Sequence, residues 1–572
     1  MPGLPKEKRC RIRGFVVKSP LCEIFATAET EDLVAWGHFN TGEMQSWFTF
    51  ELDGEMCRVE RESMHGTLAL YLARLDPCFA HFAEHDALLA PRLVVLGTHE
   101  GDRYRFRIVD AGLMLMPMLA DRQIWTPEGI RNAEPEHPVN LAFQEGSFEC
   151  SGERLDTIIA LTFEGYYRPD LRRQGQVNDQ YDAIVTRTAH VPAIREAAVQ
   201  VFASTEQLRH EAARKAERSG DESTVWTGKK DIFGDRFTRQ LFRLPESRSL
   251  QYVDGQKRRF FRPETLVELI KLNREYPNAA FIAGGTGLGR FAAGDEGGTD
   301  LISLEAVKEL NTVVSTEDHW EIGGAVSLTQ TAEHIGRECL AFNKVLRRFA
   351  SRPVRNRATL GGYLATAWAS GQLAPLLMAL NARVRLISAD GERDAPVSQF
   401  YAGKGRTILQ SGEIIRGIVI PRNTEHALST RGVTSRLCDA YTVAPRRTGC
   451  APYATGGFAL ELRDKRIAKA WVAYSGIDDS PMRVREAEDF LAGKNWDEGT
   501  MIETLGILNR SVEVTLPGNG GATTGYLKQL VGTLFQKFYH QHPRPGSLRP
   551  ESLTATGEFA KLEEPFFLTP RT

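Results

Sequence analysis

The sequence predicts a multidomain α+β protein, and three observations carry that prediction. The chain is 572 residues long, more than one hydrophobic core serves, and at about 150 residues per domain it suggests three or four domains. Strand-like runs of alternating or β-branched residues, closed by turn residues, stand beside runs whose apolar residues recur at three and four, the spacing of one helix face. No internal repeat is visible, so the blocks are read as separate units.

Taken in order, residues 1–135 alternate short apolar runs with turns. SWFTFELDGEMCRVE reads as a hairpin turned at Asp53-Gly54, and HGTLALYLARL after it has helical spacing. Residues 136–202 read as a small helical bundle, with ERLDTIIALTFEGYY and VPAIREAAVQVF as its helices. Residues 203–250 are dense in charge of both signs with few apolar anchors, and are read as a charged linker. Residues 251–425 mix strands and helices; FRPETLVELIKLNREYP is an amphipathic helix opened by Pro263, followed by the strand AAFIAG. Residues 430–542 place the strands GGFALELRD and RIAKAWVAYSG around a hairpin, then helices including GYLKQLVGTLFQKFYHQH. Residues 543–572 carry several prolines and little periodicity, and read as a tail.

Composition removes several function classes. Seventy-one Lys and Arg against 73 Asp and Glu leave a formal net charge of −2, so no global field draws the chain to nucleic acid or an anionic membrane. No run approaches the roughly 18 to 20 apolar residues of a membrane span. The basic start MPGLPKEKRCRIRGFVVKSPLCEIF has no continuous apolar segment of the kind a secretory signal carries, so a cytoplasmic protein is expected. Eight cysteines (Cys10, Cys22, Cys57, Cys78, Cys150, Cys339, Cys438 and Cys450) are scattered without a CxxC pair. A disulfide framework, a zinc ribbon and a local iron-sulfur loop are therefore not expected.

One motif invites a ligand. AAFIAGGTGLGRF places Gly284, Gly285, Thr286, Gly287, Leu288 and Gly289 directly after a strand-like run. Glycines lack Cβ and reach left-handed conformations, so successive backbone N–H groups can converge on a diphosphate, with the Thr286 hydroxyl as a further donor. The alternative G-x-G-x-x-A reading, from Gly287 to Ala292, requires a helix to follow at once. Gly294, Gly297 and Gly298 argue against that helix. His81-Phe-Ala-Glu84-His85 fits H-x-x-E-H, but a zinc site would need a third ligand from Glu145, Glu149 or Glu153, and no metal is expected.

Downstream come EIGGAVSLTQTAE, RRFASRPVRNRATLGGYLATAWASGQLAPLLMALNARVRLIS and FYAGKGRTILQSGEIIRGIVIP. With FIAGGTGL, this series resembles the FAD-binding (PCMH-type) domain shared by xanthine dehydrogenases, carbon monoxide dehydrogenase flavoproteins and related molybdenum hydroxylases. AYTVAPRR through GATTGYLKQLVGTLFQKFY resembles the same family's C-terminal flavoprotein domain. The resemblance implies that Phe281, Ile282, Ala283, Gly284, Gly285, Thr286, Gly287 and Leu288 hold the FAD diphosphate. A second turn, Ala358, Thr359, Leu360, Gly361 and Gly362, would wrap the same cofactor. Phe349 matches a position beside the flavin, and Arg406 stands where a Lys commonly lies. The chain departs from the family pattern at Gly287 (usually Asp), Tyr363 (usually Asn) and Gln372 (usually an Asp that contacts the dinucleotide). Trp368 adds bulk where the family keeps small or short polar groups. No catalytic residue is named.

The N-terminal third resembles the family's iron-sulfur region. TFELDGEMCRVE with GTLALYLARL and RIVDAGLMLMPMLADRQIWTPEGI is similar to a ferredoxin-like β-grasp domain, but the C-x₄-C-x₂-C loop is absent and Gly112 stands where the fourth Cys belongs. HPVNLAFQEGSFECSGERLDTIIAL is similar to the start of the helical cluster domain. There Cys150 and Glu153 fall on two ligand positions, and Val185 and Arg187 fall on the later Cys pair. Both [2Fe-2S] sites are therefore expected to be empty. The resemblance implies an FAD-dependent oxidoreductase subunit of a hetero-oligomer. It would pass electrons between a large molybdopterin-type or other electron-transfer partner and an acceptor, with molybdopterin held only in the partner. The competing expectation is a cofactor-poor homologue that serves as scaffold or assembly partner.

Overall fold

The computed structural model describes residues 44–75, 92–143, 152–168, 170–171, 174–182, 191–219, 231–287, 300–403, 405–423, 428, 432–433, 435–446, 450–463, 466–515 and 522–542. Strands β1 (Trp47–Leu52) and β2 (Glu55–Glu60) pair antiparallel from Trp47↔Glu60 to Leu52↔Glu55. Asp53 and Gly54 between them sit at φ 53° and 86°, the left-handed pair that a two-residue hairpin demands. A helix, Leu68–Leu75, follows. β3 (Leu93–Glu100), β4 (Arg103–Asp110) and β5 (Gln123–Trp125) complete a sheet of order β2-β1-β5-β3-β4, in which β5 runs parallel to β1.

Asp53 also locks a corner of this unit. Its carboxylate accepts from the Thr126 backbone N–H and hydroxyl, both at 2.7 Å, and Thr126 caps the helix Pro127–Ala133 by accepting from Gly129. Burial pushes the Asp53 carboxyl up to about 7, above its ordinary 3.8. Between those values the folded chain holds a proton that the unfolded chain has lost, so this group's contribution to stability falls as pH rises from about 4 to about 7. Asp53→Asn removes the titration, and thermal unfolding across that window is expected to show a flatter pH dependence than the parent chain. An unaltered slope would contradict the assignment.

The helical unit comprises Pro138–Ala142, Gly152–Tyr167, Gln174–Gln180 and Val191–Ser219. The linker expected from 203 is corrected here, because the last of these helices continues to Ser219. The Glu, Lys and Arg residues that gave the segment its charge are, like its Ala and Gln, strong helix formers, and Glu206 pairs along the helix with Arg209 at 3.3 Å and His210 at 3.6 Å. A second helix, Arg236–Leu241, lies in the same span, capped by Asp235. Its Phe237 stacks edge-on against Trp125 and Phe163 at 4.6 and 4.8 Å, which ties sheet to helices. His137 sits inside this aromatic cluster, accepting from Val139 N–H and facing the Tyr167 hydroxyl, which donates to Asp235. Burial holds His137 down to about 3, so it stays neutral.

Strands β6 (Leu250–Val253), β7 (Arg259–Arg262), β8 (Ala280–Ile282) and β9 (Leu301–Ser303) form a second sheet, ordered β6-β7-β9-β8. The helix between β7 and β8, Leu266–Glu275, is opened by the Thr265 side chain accepting from Glu268 N–H at 3.2 Å, not by Pro263. A hydroxyl that satisfies a free helix donor outweighs a proline two residues earlier. β10 (Val313–Ser315), β11 (His319–Gly323), β12 (Arg383–Ser388), β13 (Gly391–Pro396) and β14 (Ile414–Pro421) make a third sheet, antiparallel and ordered β10-β11-β14-β12-β13. Between β11 and β12 the chain runs through the helices Leu328–Ile335, Leu340–Leu346, Arg352–Arg355, Leu360–Ala365 and Leu373–Ala379.

The last unit is a meander of β15 (Ser435–Val443), β16 (Ala454–Arg463), β17 (Arg466–Ser475) and β18 (Met482–Arg483), covered by the helices Arg485–Leu491, Glu498–Ser511 and Thr524–Gln541. These units are joined tightly. Phe48, Phe50, Leu96 and Ile124 of the first sheet share one core with Tyr252, Phe260, Ile282 and Leu301 of the second. Gln45 and the β6 backbone also exchange two hydrogen bonds of 2.8 Å. Ile282, the last residue of β8 and two before Gly284, is thereby anchored on the N-terminal sheet. Among the described residues no helix is long and apolar enough to cross a membrane.

Candidate FAD site

The two glycine turns meet. A Cβ on Gly284 would lie 1.7 Å from the Arg357 carbonyl oxygen, so the first turn needs a glycine there to let the second approach. Gly285 takes φ 75°, which glycine adopts without steric penalty. Among the described residues, the N–H groups of Gly284, Gly285, Thr286 and Gly287 donate to no recorded acceptor. A Cβ on Gly287 would meet nothing within 4 Å. Among the described residues, the donors of the first turn are therefore unengaged and Gly287 has no close neighbour. Of the other residues expected there, Ile282 is core, Phe281 packs partly buried against the separate cluster of Phe261, Leu269 and Ile302, and Leu288 lies outside the described residues.

The second turn is built differently. Leu360 N–H donates to Val326, Gly361 N–H to Gly324, Gly362 N–H to the Thr359 hydroxyl and Tyr363 N–H to the Thr359 carbonyl, while Ala358 accepts from Leu328. Four of the five N–H groups of Ala358–Gly362 are engaged, so the turn serves as a platform that presses on the first turn. The sequence reading gave Gly324 no role, although the Gly323-Gly324 pair was visible; a Cβ on Gly361 would lie 2.5 Å from the Gly324 carbonyl.

The departures from the family pattern have local explanations. The Tyr363 hydroxyl accepts from Leu373 and Ala374 N–H, each at 3.0 Å, and so caps the helix Leu373–Ala379, whose own N-cap residue Gln372 makes no side-chain cap. Phe349 meets the Tyr363 ring edge-on at 5.6 Å. Gln372 is buried and donates to the Arg348 carbonyl at 3.4 Å. Both replacements are turned into the protein. Trp368 is 50% exposed. Arg406 is exposed on the loop after Tyr401, and among the described residues no hydrogen bond or ion pair ties its side chain to either turn. Tyr363→Phe leaves two helix-terminal donors without an acceptor. It is expected to lower stability by about 1–3 kcal/mol, read as a lower urea midpoint; an unchanged midpoint would contradict the cap.

Three charged residues behind the first turn were not found from sequence. Arg357 donates from Nε to the Gly284 carbonyl at 3.2 Å and pairs with Glu305, whose other oxygen lies 3.5 Å from Arg122. Burial and the Arg122 guanidinium bring Arg357 down to about 9. Two buried cations share one carboxylate beneath the turn, which suits an anionic group above it. The diphosphate of FAD therefore fits the residues present, through free N–H groups, open space at Gly287 and positive charge behind.

At the expected cluster positions, a Cβ on Gly112 would lie 2.2 Å from an Arg92 guanidinium nitrogen. Cys150, Val185 and Arg187, together with His81, Glu84, His85, Glu145 and Glu149, lie outside the described residues, as does the tail. Among the described residues, no group of three or more His, Cys, Asp or Glu could hold a metal ion.

Residues 255–423, which carry both glycine turns, match the family described as the FAD binding domain in molybdopterin dehydrogenase. Residues 439–542 match the CO dehydrogenase flavoprotein C-terminal domain. Over these two segments the chain is similar to the FAD-binding parts of molybdenum hydroxylases. Xanthine dehydrogenase 1 of Arabidopsis thaliana is 27% identical over 334 residues, covering 54% of this chain and 24% of that protein. Aldehyde oxidase 2 of Macaca fascicularis is 28% identical over 322 residues, covering 53% and 23%. The chain thus spans about a quarter of the length of these relatives. Among solved structures, quinoline 2-oxidoreductase from Pseudomonas putida 86 has a chain 24% identical, covering 49% of this chain and 96% of its own, with a TM-score of 0.43.

Proposed function

We propose that this chain is an FAD-binding oxidoreductase subunit that passes electrons between a molybdopterin-type partner and an acceptor, without [2Fe-2S] clusters of its own. The single observation that carries the reading is the first turn, whose N–H groups are unengaged among the described residues and whose Gly287 has no described neighbour within 4 Å of an added Cβ. Gly284, Gly285, Thr286 and Gly287 would hold the diphosphate, the platform Ala358–Gly362 would back it, and Phe349 would flank the ring system. FAD supplies hydride and single-electron transfer when bound. The protein's share is to orient it and exclude water. The sheet order β2-β1-β5-β3-β4 with parallel β1 and β5 supports a ferredoxin-like β-grasp unit, and Arg92 beside Gly112 supports its being free of a cluster.

Gly287→Trp tests the placement, because among the described residues a Cβ at this position meets nothing within 4 Å. FAD affinity is expected to fall about 10- to 100-fold, the loss of one charge-assisted hydrogen bond or more, with thermal unfolding of the FAD-free chain unchanged. Undiminished FAD retention would remove the site from this turn. One observation favours the scaffold reading instead: Tyr363 and Gln372 are both engaged inward and offer nothing to a dinucleotide. A parent chain that takes up no FAD would select it.

A further inference from the structure

The short segment Arg352–Arg357 faces the N-terminal third directly with Arg352, Arg355 and Asn356, and through Glu305 with Arg357. Arg352 Nε and Asn356 Nδ2 both donate to Glu164, at 2.9 and 3.1 Å. Asn356 also donates to the Ile108 carbonyl at 2.8 Å. Arg355 pairs with Asp179 at 2.5 Å and, with its other nitrogen, donates to the carbonyls of Phe349 and Ala350 at 2.9 and 2.7 Å. Arg357 joins Glu305 and Arg122 to the Gly284 carbonyl.

Two buried charge chains therefore start in the N-terminal third and end on backbone carbonyls of the FAD loops. One runs Asp179, Arg355, Phe349–Ala350. The other runs Arg122, Glu305, Arg357, Gly284. The first ends on a residue that needs holding: Ala350 sits at φ 48°, a left-handed conformation that a residue with Cβ keeps only when its surroundings over-determine it. Arg355, gripping two successive carbonyls from a fixed anchor, supplies that constraint.

We infer that the N-terminal third acts on the FAD site as a positioning scaffold, with Asp179 setting the Phe349–Ala350 loop through Arg355, and Arg122 setting the Gly284 turn through Glu305 and Arg357. This rests on the FAD reading above and adds to it a role for the N-terminal third that needs no metal. Asp179 and Arg122 are positioning residues, since neither lies on an FAD loop. The buried Asp254, which accepts from Met64 across the same boundary and pairs locally with Arg258 but reaches neither turn, is the matched control.

The experiment uses the full chain and compares Asp179→Asn, Arg122→Met and Asp254→Asn by FAD dissociation constant, visible circular dichroism of the bound flavin and thermal unfolding without FAD. Asp179→Asn and Arg122→Met are expected to weaken FAD about tenfold, the usual scale of coupling between sites, and to alter the flavin dichroism. Asp254→Asn is expected to lower the unfolding temperature and leave both flavin readouts alone. Unchanged flavin readouts in Asp179→Asn, or equal shifts in Asp254→Asn, would overturn the inference while the FAD reading stands. A parent chain that binds no FAD removes both. Should Asp179→Asn not fold, Asp179→Glu keeps the charge and displaces the loop; it is expected to change the dichroism at an unchanged unfolding temperature, and an unchanged spectrum overturns the inference.

Discussion

Gly284→Ala is expected to destabilise the FAD-binding unit more than any other single methyl added to the two turns. The new Cβ would lie 1.7 Å from the Arg357 carbonyl oxygen and 2.4 Å from its carbon. Both are backbone atoms, so no rotamer change relieves the clash; the turns must separate. Separation breaks the Arg357 hydrogen bond to Gly284 and disturbs Ala358, whose carbonyl accepts from Leu328. Overpacking costs about 1–3 kcal/mol, and each of two hydrogen bonds adds about 0.5–1.5 kcal/mol. A loss near 4 kcal/mol lowers the melting temperature by roughly 10 °C in a unit of this size. Calorimetry should show that drop for Gly284→Ala and none for Gly287→Ala. Equal melting temperatures would mean that the turns do not touch.

Glu164→Ala is expected to cost about 3–5 kcal/mol, the usual penalty for removing one partner of a buried ion pair. The Glu164 side chain is fully buried and accepts from Arg352, Gln180 and Asn356. Without it, a guanidinium that is itself 4% exposed remains in the interior with only Glu333 among the described residues, at 4.0 Å, as an ion-pair partner. Adding Arg352→Met removes that stranded charge, so the double variant should be more stable than Glu164→Ala alone. Urea unfolding distinguishes the cases, and strict additivity of the two losses would show that the pair is not coupled.

Local chemistry explains what could be read from sequence. Asp53-Gly54 specified its hairpin because two successive positive φ angles admit few dipeptides. The strands AAFIAG, GGFALELRD and RIAKAWVAYSG and the helix ending in HQH were legible from period alone. Where two local signals competed, the weaker was chosen. Charge density between 203 and 219 suggested a coil although its residues favour helix, and Pro263 drew attention from the Thr265 cap.

The candidate site was legible as two glycine turns and illegible as a supported structure. Asp179 lies 176 residues from Arg355, and Arg122 lies 183 from Glu305. No periodicity or spacing rule connects residues so far apart; only the fold brings them together. Tyr363 was visible as a substitution, but its capping role depends on where the helix Leu373–Ala379 begins. Gly324 was visible as half of a pair, but its purpose depends on the platform that crosses it.

The most direct test of the account is FAD uptake by the purified full chain, followed by removal of free flavin, a visible absorption spectrum and acid release of the cofactor for identification. The account predicts a yellow protein that retains one FAD per chain and shows flavin bands without iron-sulfur absorption. A colourless protein that retains no FAD would contradict it and leave the two glycine turns as packing alone.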